Sequence, residues 1–294
     1  MPARRFLQLD VFADRPGAGN PLAVVLDAEG LDAAAMQAIA AWTHVVETTF
    51  VFAPDAPGGD YRVRIFTPHR EIPFAGHPSL GSAHAWLEGG GQPAGDLLQQ
   101  DCGAGRIAIR VEQRDGSRRL FFRAPPLQSV HVAAADEPGM ADALRGVARG
   151  ALPPALVSAG RRWWLVEFAD EAALRGFVPD LPAIAAWSRH REAMGLCGFA
   201  RVAPSPGSPY DGVVRAFAPA FGIAEDPASG AANATIAAYL RHAGVLPAID
   251  AEYTVSQGRE LGRDARIDLR VERDGDIWVG GQVQTVVRGT LDWG

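Results

Sequence analysis

Arg64-Ile65-Phe66-Thr67-Pro68, with His77-Pro78 and then Gly81, Ala83, Ala85 and Leu87 downstream, is matched later in the chain. The second copy is Arg215-Ala216-Phe217-Ala218-Pro219, with Asp226-Pro227 and then Gly230, Ala232, Ala234 and Ile236. Each copy reads as a strand that leaves through Arg-x-Phe-x-Pro, a short loop, and a helix opened by a polar residue followed by proline. His77 comes nine positions after Pro68 and Asp226 seven after Pro219, so only the loop length differs. Self-similarity of this kind fixes architecture before any single element does, and it predicts two similar α/β halves.

Helix starts explain the shared pattern. A proline in the first turn costs nothing, because the amide it lacks has no intrahelical acceptor, and a polar side chain before it can cap the next amides. His77 and Asp226 are expected at those cap positions. If the halves face each other about a pseudo-twofold, both helix mouths open into one cleft. Their unpaired amides and positive dipole ends then suit a carboxylate. Gly76, Gly81 and Gly230 allow close approach of ligand or backbone.

Hydrophobic periodicity fills in the rest. Strands are expected around Leu7, Leu9 and Val11, then at 22–26, 48–52, 61–67, 106–112 and 119–123, with helices at 32–42 and 78–87. The second half reads as strands at 164–168, 212–218, around Tyr253, at 267–271 and 283–291, with helices at 182–187 and 227–241. Periodicity lapses around Pro125-Pro126, which places a domain boundary there. Two domains follow: 1–124 with about 283–294 returning to it, and 125–282.

The 294 residues are 48% hydrophobic and 21% charged, the balance of an ordinary globular protein. No long apolar run suggests a membrane span, and residues 1–10 run directly into a strand pattern in place of a secretory leader, so a cytoplasmic protein is expected. A formal charge of −6, without a basic stripe, argues against nucleic acid as a partner. The two cysteines, Cys102 and Cys197, are too few for a disulfide framework or a thiolate zinc site. His77 and His84 lack zinc-ligand spacing, and 103–108 matches Gly-x-Gly-x-x-Ala where a strand follows instead of a helix. No metal and no cofactor is expected.

The chain resembles the phenazine-biosynthesis PhzF-like family, which is similar in fold to diaminopimelate epimerase. The resemblance rests on Asp10-Val11-Phe12, Gly19-Asn20-Pro21-Leu22-Ala23-Val24, Glu47-Thr48-Thr49-Phe50, Phe74-Ala75-Gly76-His77-Pro78, Glu225-Asp226-Pro227-Ala228-Ser229-Gly230, Gln257-Gly258 before Gly262-Arg263, and Gly280-Gly281. It implies an α+β protein of two pseudo-symmetric epimerase-like domains, each a mixed sheet wrapped around a central helix, and a homodimer. It further implies that Glu47 is the acid/base residue, that His77 and Asp226 line the site, and that the reaction isomerises a dihydro-hydroxyanthranilate. Asn20, Gly76, Ser79, Ser229, Gly230 and Ala231 are the substrate-binding candidates. Ala231 departs from the family, which often has serine there, so any role of that hydroxyl is lost or moved.

A proton shift needs a group that takes a proton from carbon and returns it nearby, and a carboxyl serves when burial lifts its pKa toward working pH. Glu47, between a helix and the apolar run 50–52, fits by type. The expected activity is therefore a cofactor-independent shift of a proton on a small carboxylate. A two-base epimerase or racemase using thiols is the chemical rival, although both helix starts carry His77 and Asp226 where thiols belong. A non-catalytic small-molecule binder is the rival from another class.

Overall fold

In the computed structural model, residues 3–203, 207–246 and 251–293 are described. The chain divides into two compact units, Met1–Arg123 with Gly280–Gly294, and Ala124–Val279.

The first unit contains β1 (Arg4–Val11), β2 (Asn20–Val25), α1 (Ala33–Thr43), β3 (Glu47–Phe52), β4 (Tyr61–Phe66) and β5 (Glu71–Ile72). It continues with α2 (Gly76–Glu88), β6 (Leu97–Cys102), β7 (Gly105–Arg114) and β8 (Ser117–Arg123). β1 and β2 are antiparallel, β2 and β3 parallel, β3 and β4 antiparallel, β4 and β6 parallel, and β6 to β8 form a meander. The last strand, β17 (Ile277–Leu291), enters this unit at Gly280 and pairs antiparallel with β1 from Val283 to Leu291. α2 packs against β1, β2, β3, β4, β6 and β8, so the sheet surrounds it. Its residues 76–85 are all buried, which explains why its sequence carries small or uncharged residues on every side instead of one polar and one apolar face. Gly81 makes this fit possible, since a Cβ there would lie 2.3 Å from Leu22 Cδ2 and 3.1 Å from Val11 Cγ2.

The second unit contains β9 (Ser129–Val132), α3 (Met140–Ala143), β10 (Ala155–Ala159), β11 (Arg161–Glu167), α4 (Glu171–Arg175) and α5 (Leu181–His190). It continues with β12 (Leu196–Arg201), β13 (Gly212–Ala218), β14 (Ile223–Asp226), α6 (Gly230–His242), β15 (Ala251–Gln257) and β16 (Ala265–Val271). From β10 onward the pairing senses repeat those of the first unit: antiparallel, parallel, antiparallel, parallel, antiparallel. α6 takes the part of α2 and packs against β10, β11, β12 and β16. A separate apolar layer on the sheet's other side centres on Trp164 and Trp187, stacked with ring centroids 4.4 Å apart.

The repeated Arg-x-Phe motif has the same use in both units. Arg64 of β4 makes a double hydrogen bond to Glu71 of β5 at 2.7 Å, and Arg215 of β13 does so to Glu225 of β14 at 2.9 Å. Each guanidinium also stands over the phenylalanine two residues on, at 5.3 Å from Phe66 and 5.0 Å from Phe217. The pair holds the short return strand that delivers the chain to its central helix.

Both helix starts differ from expectation. α2 begins at Gly76 with Ala75 as N-cap, so His77 is the second helical residue and not the cap. Pro78 is tolerated as the third because all first-turn amides lack intrahelical acceptors. Asp226 ends β14, and α6 begins only at Gly230, capped by Ser229, whose hydroxyl accepts from Ala232 N at 3.3 Å. Pro227 keeps Asp226 extended, and the Asp226 carboxylate accepts from Ala228 N at 3.2 Å, so the turn is completed before the helix starts.

Candidate active site

Glu47 opens β3 directly after the loop that leaves α1, where His44 adopts the left-handed conformation that ends the helix. Hydroxyl contacts fix its surroundings: Thr43 Oγ1 and Thr48 Oγ1 lie 2.7 Å apart, and Ser82 of α2 donates to Thr49 Oγ1 at 2.9 Å. In the parallel pairing of β2 with β3, Glu47 stands beside Leu22. This brings it to the start of β2, where Asn20 is fully buried and Pro21 follows.

His77 reaches the same place from the helix. Its ring accepts burial on all sides, with the Pro21 carbonyl as a backbone partner, and its Nε2 lies 3.2 Å from Glu47 Oε2. Only 8% of the histidine side chain and 12% of the glutamate side chain remain exposed. Burial pushes His77 down to about 3, against a weaker upward pull from the Pro21 carbonyl, so the imidazole is neutral at neutral pH. The contact is therefore a 3.2 Å approach of a carboxyl oxygen to a neutral imidazole nitrogen, without hydrogen-bond geometry between them, and not an ion pair.

Gly76 and Ser79 complete the first turn of α2. A Cβ at Gly76 would come within 2.6 Å of the Phe122 ring, so only glycine lets the turn approach β8 this closely. The Ser79 hydroxyl faces the wall: it donates to Ala75 O and accepts from Gln100 Nε2, both at 2.9 Å, and Gln100 accepts from Tyr61 OH at 2.8 Å. Ala75 supplies no side-chain cap, which leaves the Gly76 and His77 amides without intrahelical acceptors.

In the second unit, Asp226, Ser229, Gly230 and Ala231 all lie within the six residues 226–231 that join β14 to α6. Gln257, at the end of β15, binds this junction from beneath, donating to Asp226 O at 2.8 Å and accepting from Ser229 N at 3.2 Å. In sequence, Gln257 stands only as part of the Gln257-Gly258 motif, without an assigned role. Its signal was there: a glutamine at the end of an otherwise alternating strand, ahead of a glycine.

Neither cysteine is placed for acid/base work. Cys102 closes β6, its Sγ contacts Gly105 O at 3.3 Å, and burial raises its pKa. Cys197 in β12 is fully buried, and burial together with the Asp226 charge keeps its thiol well above the ordinary range. His84 contacts Thr285 Oγ1 at 2.9 Å and Glu88 at 3.2 Å on the outer part of α2.

The family model for phenazine biosynthesis-like protein, PhzC-PhzF, matches residues 9–289. The chain belongs to this family. Among its PhzF-family relatives, the trans-2,3-dihydro-3-hydroxyanthranilate isomerase of Pseudomonas aeruginosa is 33% identical over 275 residues, covering 92% of each chain. The antisense-enhancing sequence 1 protein of Schizosaccharomyces pombe is 30% identical over 298 residues, covering 98% of this chain and 99% of its own. A Bacillus anthracis PhzF-family crystal structure superimposes with a TM-score of 0.88 at 24% identity, covering 99% of this chain and 100% of the other. The fold is thus the mixed α+β, epimerase-like fold of PhzF proteins, and the relatives support a PhzF-like isomerase. Among the described residues, no helix is long and apolar enough to cross a membrane.

Proposed function

We propose that this PhzF-like isomerase shifts a proton on a small carboxylate, trans-2,3-dihydro-3-hydroxyanthranilate or a close analogue, with Glu47 as the group that removes and returns the proton. The observation that carries the reading is the Glu47–His77 contact: a buried carboxyl 3.2 Å from an imidazole that burial keeps neutral. A neutral imidazole can accept or donate a hydrogen bond, according to its tautomer, without changing its charge in a dry site, so it orients Glu47 or a substrate polar group while Glu47 itself carries the proton. The uncapped amides of Gly76 and His77 offer donors to an anionic group, and Asn20 directly precedes Pro21, whose carbonyl meets the His77 ring. In this reading Asp226, Ser229, Gly230 and Ala231 are further substrate-binding positions, Asp226 holding polar groups. The same reading takes the two compact units as the two epimerase-type domains, and takes the protein as a cytoplasmic homodimer.

The test is deuterium wash-in. Incubation with trans-2,3-dihydro-3-hydroxyanthranilate in heavy water should put a carbon-bound deuterium into recovered material, read by mass spectrometry and NMR. Binding without any carbon-bound exchange would identify a binder instead of an isomerase. Light scattering in solution tests the dimer, which requires twice the mass of one chain.

A further inference from the structure

Gln257 is fully buried, yet its carboxamide serves the Asp226–Ser229 loop more than its own strand. Nε2 donates to Asp226 O at 2.8 Å, and Oε1 accepts from Ser229 N at 3.2 Å and from Asn233 Nδ2 at 2.9 Å. One side chain therefore spans the loop from the last residue of β14 to the cap of α6, as a rung of backbone pairing would. Asn233 reinforces it from one turn inside the helix by also donating to Ser229 O at 2.8 Å. Gly258 closes the seat. Its φ of +91° suits glycine, and a Cβ there would lie 2.5 Å from Pro227 O. The loop that carries Asp226 thus rests on Gln257-Gly258 through a donor, an acceptor and a backbone contact that admits no side chain.

The geometry points to Gln257 as a positioning residue: it fixes the Asp226 backbone and so the direction in which the Asp226 carboxyl is presented. Two features separate this from ordinary core packing. The amide is used at both ends on the same four-residue loop, donating to its first residue and accepting from its last, and it bridges Pro227, which donates no hydrogen bond of its own. The inference rests on the proposed role of Asp226 in the reaction, and its test is arranged so that the two can fail separately.

The experiment compares Gln257→Met and Gln257→Glu with Thr235→Val. Thr235 is also buried on α6 and loses one bond, to Ala231 O, without touching the loop. In protein labelled at aspartate 13Cγ, the Asp226 carboxyl resonance should move in both Gln257 variants and stay in Thr235→Val, and exchange of the Ser229 amide should speed up by at least tenfold in Gln257→Met alone. Turnover of trans-2,3-dihydro-3-hydroxyanthranilate should fall by about 10- to 100-fold in kcat in the Gln257 variants, with KM changed less than threefold. A Gln257→Met protein that matches Thr235→Val in both the 13Cγ position and kcat overturns the inference. So does a displaced 13Cγ resonance with unchanged kcat. A wild-type protein that turns nothing over sinks the functional reading instead, and the 13Cγ comparison then decides the positioning role by itself.

Discussion

His77 Nε2 and Glu47 Oε2 meet at 3.2 Å, one side chain from the first turn of a central helix and the other from the first residue of a strand. Neither element alone makes the site. The helix brings a base that burial has neutralised, the strand brings a carboxyl into the same dry place, and the Pro21 carbonyl steadies the imidazole. That juxtaposition is what separates this pair from a surface glutamate and a turn histidine.

The low pKa of His77, about 3, has a consequence for stability. Between about pH 6.5 and 3 the unfolded chain binds a proton at this residue that the folded protein does not. Stability therefore falls as pH drops through that window, by up to about 1.4 kcal/mol per pH unit. Urea unfolding at pH 7, 5.5 and 4.5 should show a steeper loss for the native sequence than for His77→Asn. Equal slopes would mean that the imidazole protonates in the folded state.

The two arginine–glutamate pairs of the repeat should differ sharply in cost. Arg215 and Glu225 are 5% and 9% exposed, and Glu225→Ala leaves the buried guanidinium with Glu260 at 3.9 Å as its nearest carboxylate, so it should cost about 3 kcal/mol. Arg64 and Glu71 are 27% and 42% exposed, so Glu71→Ala should cost less than about 1 kcal/mol. Chemical denaturation measures both, and similar losses would show that burial does not set the difference.

Gly81→Ala should destabilise by about 1–3 kcal/mol, because the added methyl meets Leu22 and Val11 in an interior with no slack. A melting temperature unchanged within one degree would show that α2 can move within its sheet.

If acid/base work belongs to Glu47, the thiols are dispensable. Cys102→Ala and Cys197→Ala should keep turnover within about threefold, measured as kcat, with Cys197→Ala losing about 1 kcal/mol of stability for the small cavity it leaves. Loss of turnover in either would return the thiol reading to contention.

Much of this architecture is legible in the sequence because the Arg-x-Phe-x-Pro repeat is tied to local rules: alternation marks β4 and β13, and glycine with small residues marks two helices buried on every side. The strands β6, β9, β10 and β12 are not legible in the same way. β6 alternates in burial but reads Leu-Leu-Gln-Gln, with Gln100 inside, β12 is apolar without alternation, and β9 and β10 are short, so none shows a clean period of two in its sequence. The helix starts lie away from the expected positions because proline and a polar residue signal the first turn, not its first residue, and Ser229 takes the cap in place of Asp226. Glu47 and His77 could be named from pattern and resemblance, but their contact depends on the β2–β3 register, which no local signal encodes. Gln257 escaped for a related reason: a buried amide shows its use only when its partners do.

The central claim is that Glu47 moves the proton, and Glu47→Gln tests it most directly. The substitution keeps size and polarity and removes the titrating proton. Calorimetry with trans-2,3-dihydro-3-hydroxyanthranilate should show affinity within about threefold of the native protein, while the rate of carbon-bound deuterium incorporation falls by about 100- to 10,000-fold. Exchange at the native rate in Glu47→Gln, with folding and binding intact, would contradict the account.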